Sequence, residues 1–246
     1  MQSKTISGLV YFSNFTKILN LHVGSKNKLK RFKENETFGN VLQPTREEAV
    51  AGDFSLKGKW NSDFFKNNNP IVLELGCGKG EYSVGLAERY PDKNFIGIDI
   101  KGARFWRGAK TAVENGLTNV AFLRTQIELI EHFFAAGEVA EIWITFPDPQ
   151  IKYKRTKHRM TNSEFLQRYR KVLSEDGVVN LKTDSEFMHG YTLGLLHGEG
   201  QEVIYANHNV YKNEGSPEIV TAIQTFYEKQ YLEKNKPITY IQFKIK

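Results

Sequence analysis

The stretch 71-IVLELGCGKGEYSVGLAERYP-91 decides how this chain of 246 residues folds. It begins with five residues that form a short apolar run, and a turn with three alternate glycines follows at once. The apolar residues after the turn recur with helical spacing as far as Pro91. The stretch therefore predicts a buried strand, a tight turn and a helix, the unit from which parallel α/β sheets are built.

The same alternation continues to the end of the chain. We predict further strands over 94–100, 120–124, 141–146, 178–183, 202–207 and 238–246, and helices over 102–116, 129–137, 161–177 and 184–200. The fold class is then α/β, a doubly wound, Rossmann-like, mostly parallel sheet of seven strands with one antiparallel edge strand. Thr161 has an acid three residues later, which predicts a capping box and leaves the preceding basic block as a loop.

The N-terminal part has a different character. Residues 1–33 carry seven lysines and arginines without an acid, and periodicity is weak before residue 55. We predict a basic, partly flexible extension over 1–55, with a mobile tail at its start. Residues 56–246 are predicted to form a single α/β domain that carries the functional site. The segment KNKLKRFKEN (26–35) either contacts RNA phosphates or serves only to solubilise the protein, and we favour RNA contact.

Composition limits the functional class. Lys and Arg number 34 against 28 Asp and Glu, so the formal charge of +6 favours an anionic partner such as nucleic acid, although a basic protein without such a partner fits equally. One cysteine excludes an internal disulfide framework and a cysteine-rich metal site, and no apolar run is long enough for a membrane helix. We expect a soluble, cytoplasmic protein without a metal.

The glycine turn predicts a ligand site. A dinucleotide fingerprint requires its third glycine at position 81, where this chain has glutamate. The pattern Glu74-x-Gly76-x-Gly78-x-Gly80, with Asp99 ending the next strand, instead resembles the S-adenosylmethionine site of class I methyltransferases. Asp99 suits a ribose diol, because its two oxygens accept two hydrogen bonds. Glu74 either orients the glycine turn or meets the cationic amino-acid end of the cofactor. The alternative is a purely structural role as a cap.

A second candidate feature follows the fourth predicted strand. Asp148, between two prolines, lies where ligands bind in a doubly wound sheet, and we predict that it faces the transferable methyl group; a plain turn residue is the alternative. Five cations follow it, which we expect to contact the phosphates of a nucleic-acid substrate: Lys152, Lys154, Arg155, Lys157 and Arg159.

Five segments together resemble one family. They are ELGCGKGEY, GIDIKG, FPDPQIKYKRTKHRMTNSEFL, LKTDSEF and TFYEKQYL, and they are similar to the bacterial tRNA (guanine-N7-)-methyltransferases, which modify guanine 46 in the tRNA variable loop. The resemblance spans roughly residues 40–246. The family usually has Trp-Pro at Gln150 and Ile151, a lysine at Tyr153, and an aspartate that meets the adenine at Gln126.

The resemblance implies a role for particular positions. It implies cofactor contacts from Glu74, Asp99, Gln126 and Asp148, with Asp148 also the active-site acid. It implies substrate contacts from Lys152, Asp184, Thr225, Phe226, Tyr227 and Glu228. Asp184 also follows the fifth predicted strand, and a helix N-cap is its alternative role. Thr225 and Glu228 would otherwise be a surface pair one helical turn apart.

The predicted activity is methyl transfer from S-adenosylmethionine to guanine N7 of tRNA. Two alternatives stay open: a non-catalytic RNA-binding module on a methyltransferase fold, and an amino-methyltransferase acting on another substrate. The protein is expected to be a monomer or a homodimer, and no accessory subunit is evident.

Overall fold

The computed structural model describes residues 23–246, and the side chains from residue 27 onward. Eight strands lie in this part of the chain: β1 (Val41–Leu42), β2 (Ile71–Leu75), β3 (Asn94–Ile98), β4 (Val120–Leu123), β5 (Val139–Thr145), β6 (Leu173–Thr183), β7 (Glu202–Asn207) and β8 (Thr239–Lys244). They form one sheet in the order β1-β4-β3-β2-β5-β6-β8-β7. The direction of the strand order reverses between β2 and β5, which is where ligands bind in sheets of this type.

Helices cover the sheet. They are α1 (Val23–Asn35), α2 (Arg46–Ala51), α3 (Glu81–Arg89), α4 (Gly102–Glu114), α5 (Ile130–Phe133), α6 (Ser163–Val172), α7 (Glu186–Gly198), α8 (Glu218–Ala222) and α9 (Phe226–Glu233). A π-helical turn over Trp60–Phe65 and two short 3₁₀ helices over Ile127–Leu129 and Tyr153–His158 complete the secondary structure. No helix in the described chain combines the length and apolarity needed to cross a bilayer.

The central strands confirm the predicted parallel α/β fold. All five residues of β2 and of β3 are buried, and β2 pairs in parallel with β3 on one side and with β5 on the other. The sheet has eight strands where seven were predicted, because Val41 and Leu42 add a short parallel strand beside β4. At the opposite end β8 runs antiparallel to both β6 and β7 and lies between them.

Two predicted helix boundaries are wrong. The helix predicted over 161–177 ends at Val172, and the chain is already in strand β6 from Leu173, which pairs with Val139 before a shift in register. Its N-cap is Asn162, whose side chain accepts the amide of Phe165. Thr161 does not form the predicted capping box, because its hydroxyl is hydrogen-bonded to Thr192 in the core.

The basic block is not an irregular loop. Residues Tyr153–His158 form a 3₁₀ helix, whose turn is closed by a 2.8 Å hydrogen bond from the amide of Arg155 to the carbonyl of Lys152. The hydroxyl of Thr156 also donates to the carbonyl of Tyr153. These local hydrogen bonds order the segment that the sequence analysis predicted as a loop.

The described part of the predicted N-terminal extension is ordered against the domain. Asn35 is buried and donates to the carbonyl of Gly102 at 3.0 Å, while Glu34 accepts the indole N–H of Trp106 at 2.9 Å. Residues 23–33, part of the basic segment for which we predicted a mobile tail, belong to helix α1, which packs on α4. Residues 1–22 lie outside the described part. The domain boundary at 55 stays a prediction.

Candidate active site

The three glycines of the turn after β2 have different surroundings. All three have positive φ angles, between 56° and 74°, a region that side chains other than hydrogen rarely enter. Gly76 lines an open cavity, and Gly78 donates its amide to Asp99. Gly80 packs inward: a Cβ there would come within 2.9 Å of two ring atoms of Phe122 and 3.2 Å of Gly108. Gly80 therefore lets α3 and α4 pack closely, and no ligand contact is needed to explain it.

Asp99 lies directly after β3 and is oriented by the backbone. Its Oδ2 accepts the amide of Gly78 at 3.1 Å, and its Oδ1 accepts the amide of Lys101 at 2.8 Å. The side chain is 8% exposed. Each carboxylate oxygen keeps a further lone pair, so the group can accept two more hydrogen bonds from a ligand. The predicted acceptor for a diol is therefore held in one orientation at the edge of the sheet.

A cavity of about 230 Å³ lies beside Asp99 and Gly76, and Gln126 also lines it. A neighbouring cavity of about 270 Å³ shares Gln126 and extends to Pro44. Cofactor residues predicted on three separate segments, Gly76, Asp99 and Gln126, thus meet on one surface.

Two of the residues shared by both cavities were not predicted from sequence. Ile100 and Thr125 line both cavities, and Ile100 is 48% exposed. Each occupies the second position after a strand, so the same strand-end argument that selected Asp99 would have found them. The exposed side chain of Ile100 therefore offers an apolar surface on which a flat ring of a bound ligand could pack.

Glu74 is part of the protein interior. Its Oε2 accepts both the amide and the hydroxyl of Ser83 in the first turn of α3, and its Oε1 accepts the hydroxyl of Thr145 at 2.6 Å. Burial raises the pKa of its carboxyl to about 7, against the effect of these donors. Its observed contacts match the structural-cap alternative: the carboxylate joins β2, β5 and the helix start.

The turn after β5 has a strained backbone. Phe146 and Gln150 have φ angles of 49° and 48°, which are unfavourable for side chains of that size. Asp148 between them is exposed, and its Oδ1 accepts the amide of Gln150 at 3.2 Å. Because Leu75 pairs with Ile144, the turn with Asp148 leaves the sheet next to the glycine turn. Non-glycine residues in such conformations concentrate at functional sites.

The cations after Asp148 divide into two groups. Four are exposed: Lys152, Lys154, Arg155 and Lys157. Arg159 differs, since it is buried, donates to the carbonyls of Gln150 and Ile151 at 3.2 Å, and stacks on Tyr191 at 4.4 Å. Its guanidinium holds the Asp148 turn, so the predicted phosphate contact from Arg159 does not fit this arrangement.

The segment Thr225 to Glu228 reaches the glycine turn. The amide of Phe226 donates to Glu81 at 3.1 Å, and the ammonium of Lys79 lies 3.6 Å from the centre of the Phe226 ring. Phe226 and Tyr227 are each nearly half exposed. The expectation of a surface pair is wrong for Thr225 and Glu228, since Thr225 caps α9 and Glu228 is completely buried.

Asp184 follows β6 at the same edge of the sheet. It forms a 3.3 Å ion pair with Lys236 and remains partly accessible. The N-cap of α7 is Ser185, whose hydroxyl accepts the amide of Met188, so the alternative role of Asp184 as that cap is wrong.

Hydrogen-bond donors of the protein hold the acids of the site in place. Among residues 23–246 no three His, Cys, Asp or Glu side chains are grouped so that they could hold a metal ion. Asp99 and Asp148 instead accept hydrogen bonds from backbone amides.

The chain was compared with known proteins. A family model described as "Putative methyltransferase" matches residues 68–241. A tRNA (guanine-N(7)-)-methyltransferase from Christiangramia forsetii is 75% identical over 91% of this chain and 100% of its own length. The chain belongs to the tRNA (guanine-N(7)-)-methyltransferase family. A family member from Bacteroides fragilis is 49% identical over 89% of this chain and 85% of its own.

Solved structures agree on the fold. The 16S rRNA methyltransferase KamB superposes with a TM-score of 0.58 at 14% identity, over 75% of this chain and 91% of its own. A variant of the 16S rRNA (adenine(1408)-N(1))-methyltransferase from Catenulisporales acidiphilia, solved with its cosubstrate SAM, gives 0.51 at 12% identity, over 76% and 89%. At these identities the likeness establishes a class I methyltransferase fold and nothing finer.

Proposed function

We propose that the protein transfers the methyl group of S-adenosylmethionine to N7 of guanine 46 in the variable loop of tRNA. The single observation that carries this is the meeting, at one edge of the sheet, of the glycine turn, the oriented Asp99 and the Asp148 turn. Membership of the tRNA (guanine-N(7)-)-methyltransferase family supports the reaction. Guanine 46 and the individual residue roles rest on the resemblance and on chemistry.

The residues present fit S-adenosylmethionine. Asp99 has two spare acceptor positions for the ribose hydroxyls, and Gly76 brings the backbone of the glycine turn to the cavity wall. Ile100 and Gln126 would meet the adenine, the first as an apolar surface and the second as a donor and acceptor. When bound, the sulfonium supplies an electrophilic methyl group.

Glu74 supports this site indirectly. Its carboxylate holds the first turn of α3 and Thr145, so it fixes the glycine turn relative to β5. We therefore assign Glu74 a positioning role rather than a contact with the cofactor.

Asp148 orients the acceptor base. Guanine N7 has an in-plane lone pair and no proton, so its attack requires no general base. Asp148 can accept hydrogen bonds from the guanine N1–H and amino group, and its negative charge stabilises the positive charge that develops on the purine. Its hydrogen bond from Gln150 and the Arg159 clamp hold the turn in place.

Positive charge beside this turn suits a polyanion. Lys154, Arg155 and Lys157 are exposed on the 3₁₀ helix and Lys152 is exposed just before it. Phosphate contacts from these four cations would hold tRNA next to Asp148. Asp184, Phe226 and Tyr227 complete the proposed substrate surface. Thr225 and Glu228 support this surface indirectly, because they fix the start of α9. The substrate contact that the resemblance implied for Glu228 does not fit its complete burial.

The decisive experiment maps the product. The protein is incubated with unmodified tRNA and methyl-labelled S-adenosylmethionine, and the labelled nucleotide is located by digestion and mass spectrometry. We expect 7-methylguanine at position 46, and a tRNA with adenine 46 should accept no label there. Label on another base or on an exocyclic amine would favour the amino-methyltransferase, and S-adenosylmethionine binding too weak to measure would favour the RNA-binding module.

A further inference from the structure

A third cavity is lined by helices α1 and α4, by the glycine turn and by the first residues of α3 and α9. Its volume is about 430 Å³, within the ~300–1,000 Å³ range of ligand pockets. Four cationic side chains line it: Arg31, Lys79, Arg104 and Arg107. None of the functional roles assigned above uses these four residues. We call it the α1–α4 cavity.

The charge of the α1–α4 cavity is strongly unbalanced. Glu81 is the one acidic residue among those lining it, and its Oε2 is already occupied by the amide of Phe226. Arg104 and Arg107 are exposed, and among the described residues neither forms a salt bridge. Arginines one helical turn apart on a surface repel each other, so their placement favours an anionic ligand.

Aromatic side chains are interleaved with these cations. Trp106 and Tyr227 both line the cavity, and Tyr227 is 49% exposed. The guanidinium of Arg31 lies 4.7 Å from the centre of the Trp106 ring, which fixes the arginine along one wall. The ammonium of Lys79 is 5.7 Å from the Tyr227 ring. Cations alternating with partly exposed aromatic rings are the composition that binds unpaired nucleotides, by phosphate pairing and base stacking.

We propose that the α1–α4 cavity binds an unpaired nucleotide of the tRNA substrate. Arg104 and Arg107 hold the phosphates, and the base lies against Tyr227. This rests on the proposed function, since the ligand is the same tRNA. Gly78 lines the cavity while its amide orients Asp99, so RNA in the cavity would contact the same turn that holds the proposed ribose acceptor. Helix α1, from the basic segment that sequence alone left undecided, supplies Arg31 to this surface.

The charge test uses a matched pair of double variants of the full chain. Arg104→Gln/Arg107→Gln removes two cations from the cavity, and Arg89→Gln/Arg170→Gln removes two exposed arginines near the C-terminal ends of α3 and α6, away from both turns. We expect the cavity variant to raise the Kd for tRNA about tenfold and to reduce the slope of log Kd against log salt by ~1–2. The control should change the Kd less than twofold.

Tryptophan fluorescence gives an independent readout. The chain has three tryptophans, of which Trp60 and Trp143 are buried and Trp106 is partly exposed. We expect tRNA to quench the fluorescence of the wild type, and Trp106→Phe to abolish most of that quenching while tRNA still binds. Quenching of equal size in Trp106→Phe would overturn the proposal, as would an unchanged Kd and salt slope in Arg104→Gln/Arg107→Gln.

The two proposals fail differently. If the wild type binds tRNA but transfers no methyl to guanine N7, the proposed function fails, and the binding assay still tests the cavity. If the wild type methylates normally and the cavity variant has the same KM for tRNA, the cavity proposal fails alone. A true contact should raise KM for tRNA far more than it lowers kcat, and leave the Kd for S-adenosylmethionine unchanged.

Discussion

The ammonium of Lys182 and a carboxylate oxygen of Glu228 lie 2.7 Å apart in an ion pair whose two side chains are completely buried. Lys182 also donates to the carbonyl of Ile223, and Glu228 accepts the phenol of Tyr211 at 2.7 Å. Burial lowers the pKa of Lys182, and the charge of Glu228 opposes that shift. This pair ties β6 to the start of α9, so it positions the exposed Phe226 and Tyr227 beside the glycine turn.

Glu228→Gln should therefore destabilise the whole protein. It leaves a buried ammonium without its counter-charge, which costs about 3–5 kcal/mol and lowers the Tm by roughly 6–20 °C. The double variant Lys182→Met/Glu228→Gln should recover much of that loss. For comparison, Asp184→Asn breaks a more exposed ion pair and should cost less than about 1 kcal/mol. Glu228→Gln with a wild-type melting curve but no activity would instead indicate direct substrate contact.

Asp148→Asn should slow the chemical step. The amide oxygen can still accept from Gln150, so the turn survives, while the negative charge beside the purine is lost. We expect single-turnover methyl transfer to fall ~100-fold, with the Kd for tRNA changed less than twofold. The exposed Asp92→Asn serves as the charge-matched control. Normal methyl transfer by Asp148→Asn would remove this residue from the mechanism.

Asp99→Ala should weaken cofactor binding. Two charged hydrogen bonds to the ribose would be lost, each worth about 1.5–3 kcal/mol, so the Kd for S-adenosylmethionine measured by calorimetry should rise at least ~100-fold. Asp99→Asn keeps one acceptor and should fall between the alanine variant and the wild type. An unchanged Kd in both variants would place the cofactor elsewhere.

Glu74 should make stability depend on pH. Its pKa is about 7 in the folded protein against a normal value of 4.5, so the folded state binds more protons than the unfolded state between these values. The stabilisation from the protonated group is fully present below pH 4.5 and is lost as the pH rises to about 7. Its contribution to the slope approaches ~1.4 kcal/mol per pH unit.

Glu74→Gln tests this directly, because its amide can accept from Ser83 and donate to Thr145. Urea unfolding of both proteins should be measured at several pH values from 5 to 7. As the pH rises, we expect the free energy of unfolding of the wild type to fall relative to that of Glu74→Gln. Parallel pH profiles would show that Glu74 titrates normally.

Gly80→Ala should lower the free energy of unfolding by more than backbone strain alone would. The φ angle of Gly80 is 73°, and an added Cβ meets Phe122, so strain and overpacking together cost about 2–4 kcal/mol. Gly116 has a φ angle of 66° with open space around its Cβ, so Gly116→Ala isolates the strain at about 1–2 kcal/mol. Equal losses of free energy of unfolding in the two variants would contradict the packing role of Gly80.

Local patterns predicted most elements of the fold. The strand, glycine turn and helix over 71–91 formed as expected, because a continuous apolar run, glycines and a helical period act over a few residues. The errors occur where contacts with residues distant in sequence determine the local structure. Leu173 leaves the predicted helix to pair with Val139, and Thr161 bonds to Thr192 instead of capping.

For the candidate site, too, local sequence predicted some features and contacts between distant residues determined others. Asp99 and Asp148 could be found from sequence, since a strand end in a parallel sheet fixes where an acid must lie. Burial could not be read from sequence: Arg159 belongs to a run of exposed cations yet packs on Tyr191, and Glu228 resembles a surface residue yet pairs with Lys182.

The amino-acid sequence by itself determined the α/β alternation, the glycine turn and the order in which acids follow strands, because these depend on interactions between near neighbours. Only the tertiary structure decided which charges are buried and which stay exposed to solvent. It brought Arg31 of α1 beside Arg104 of α4, across more than seventy residues of sequence. Desolvation and pairing of charges depend on what the folded chain places around each group, and that is a property of the packed molecule.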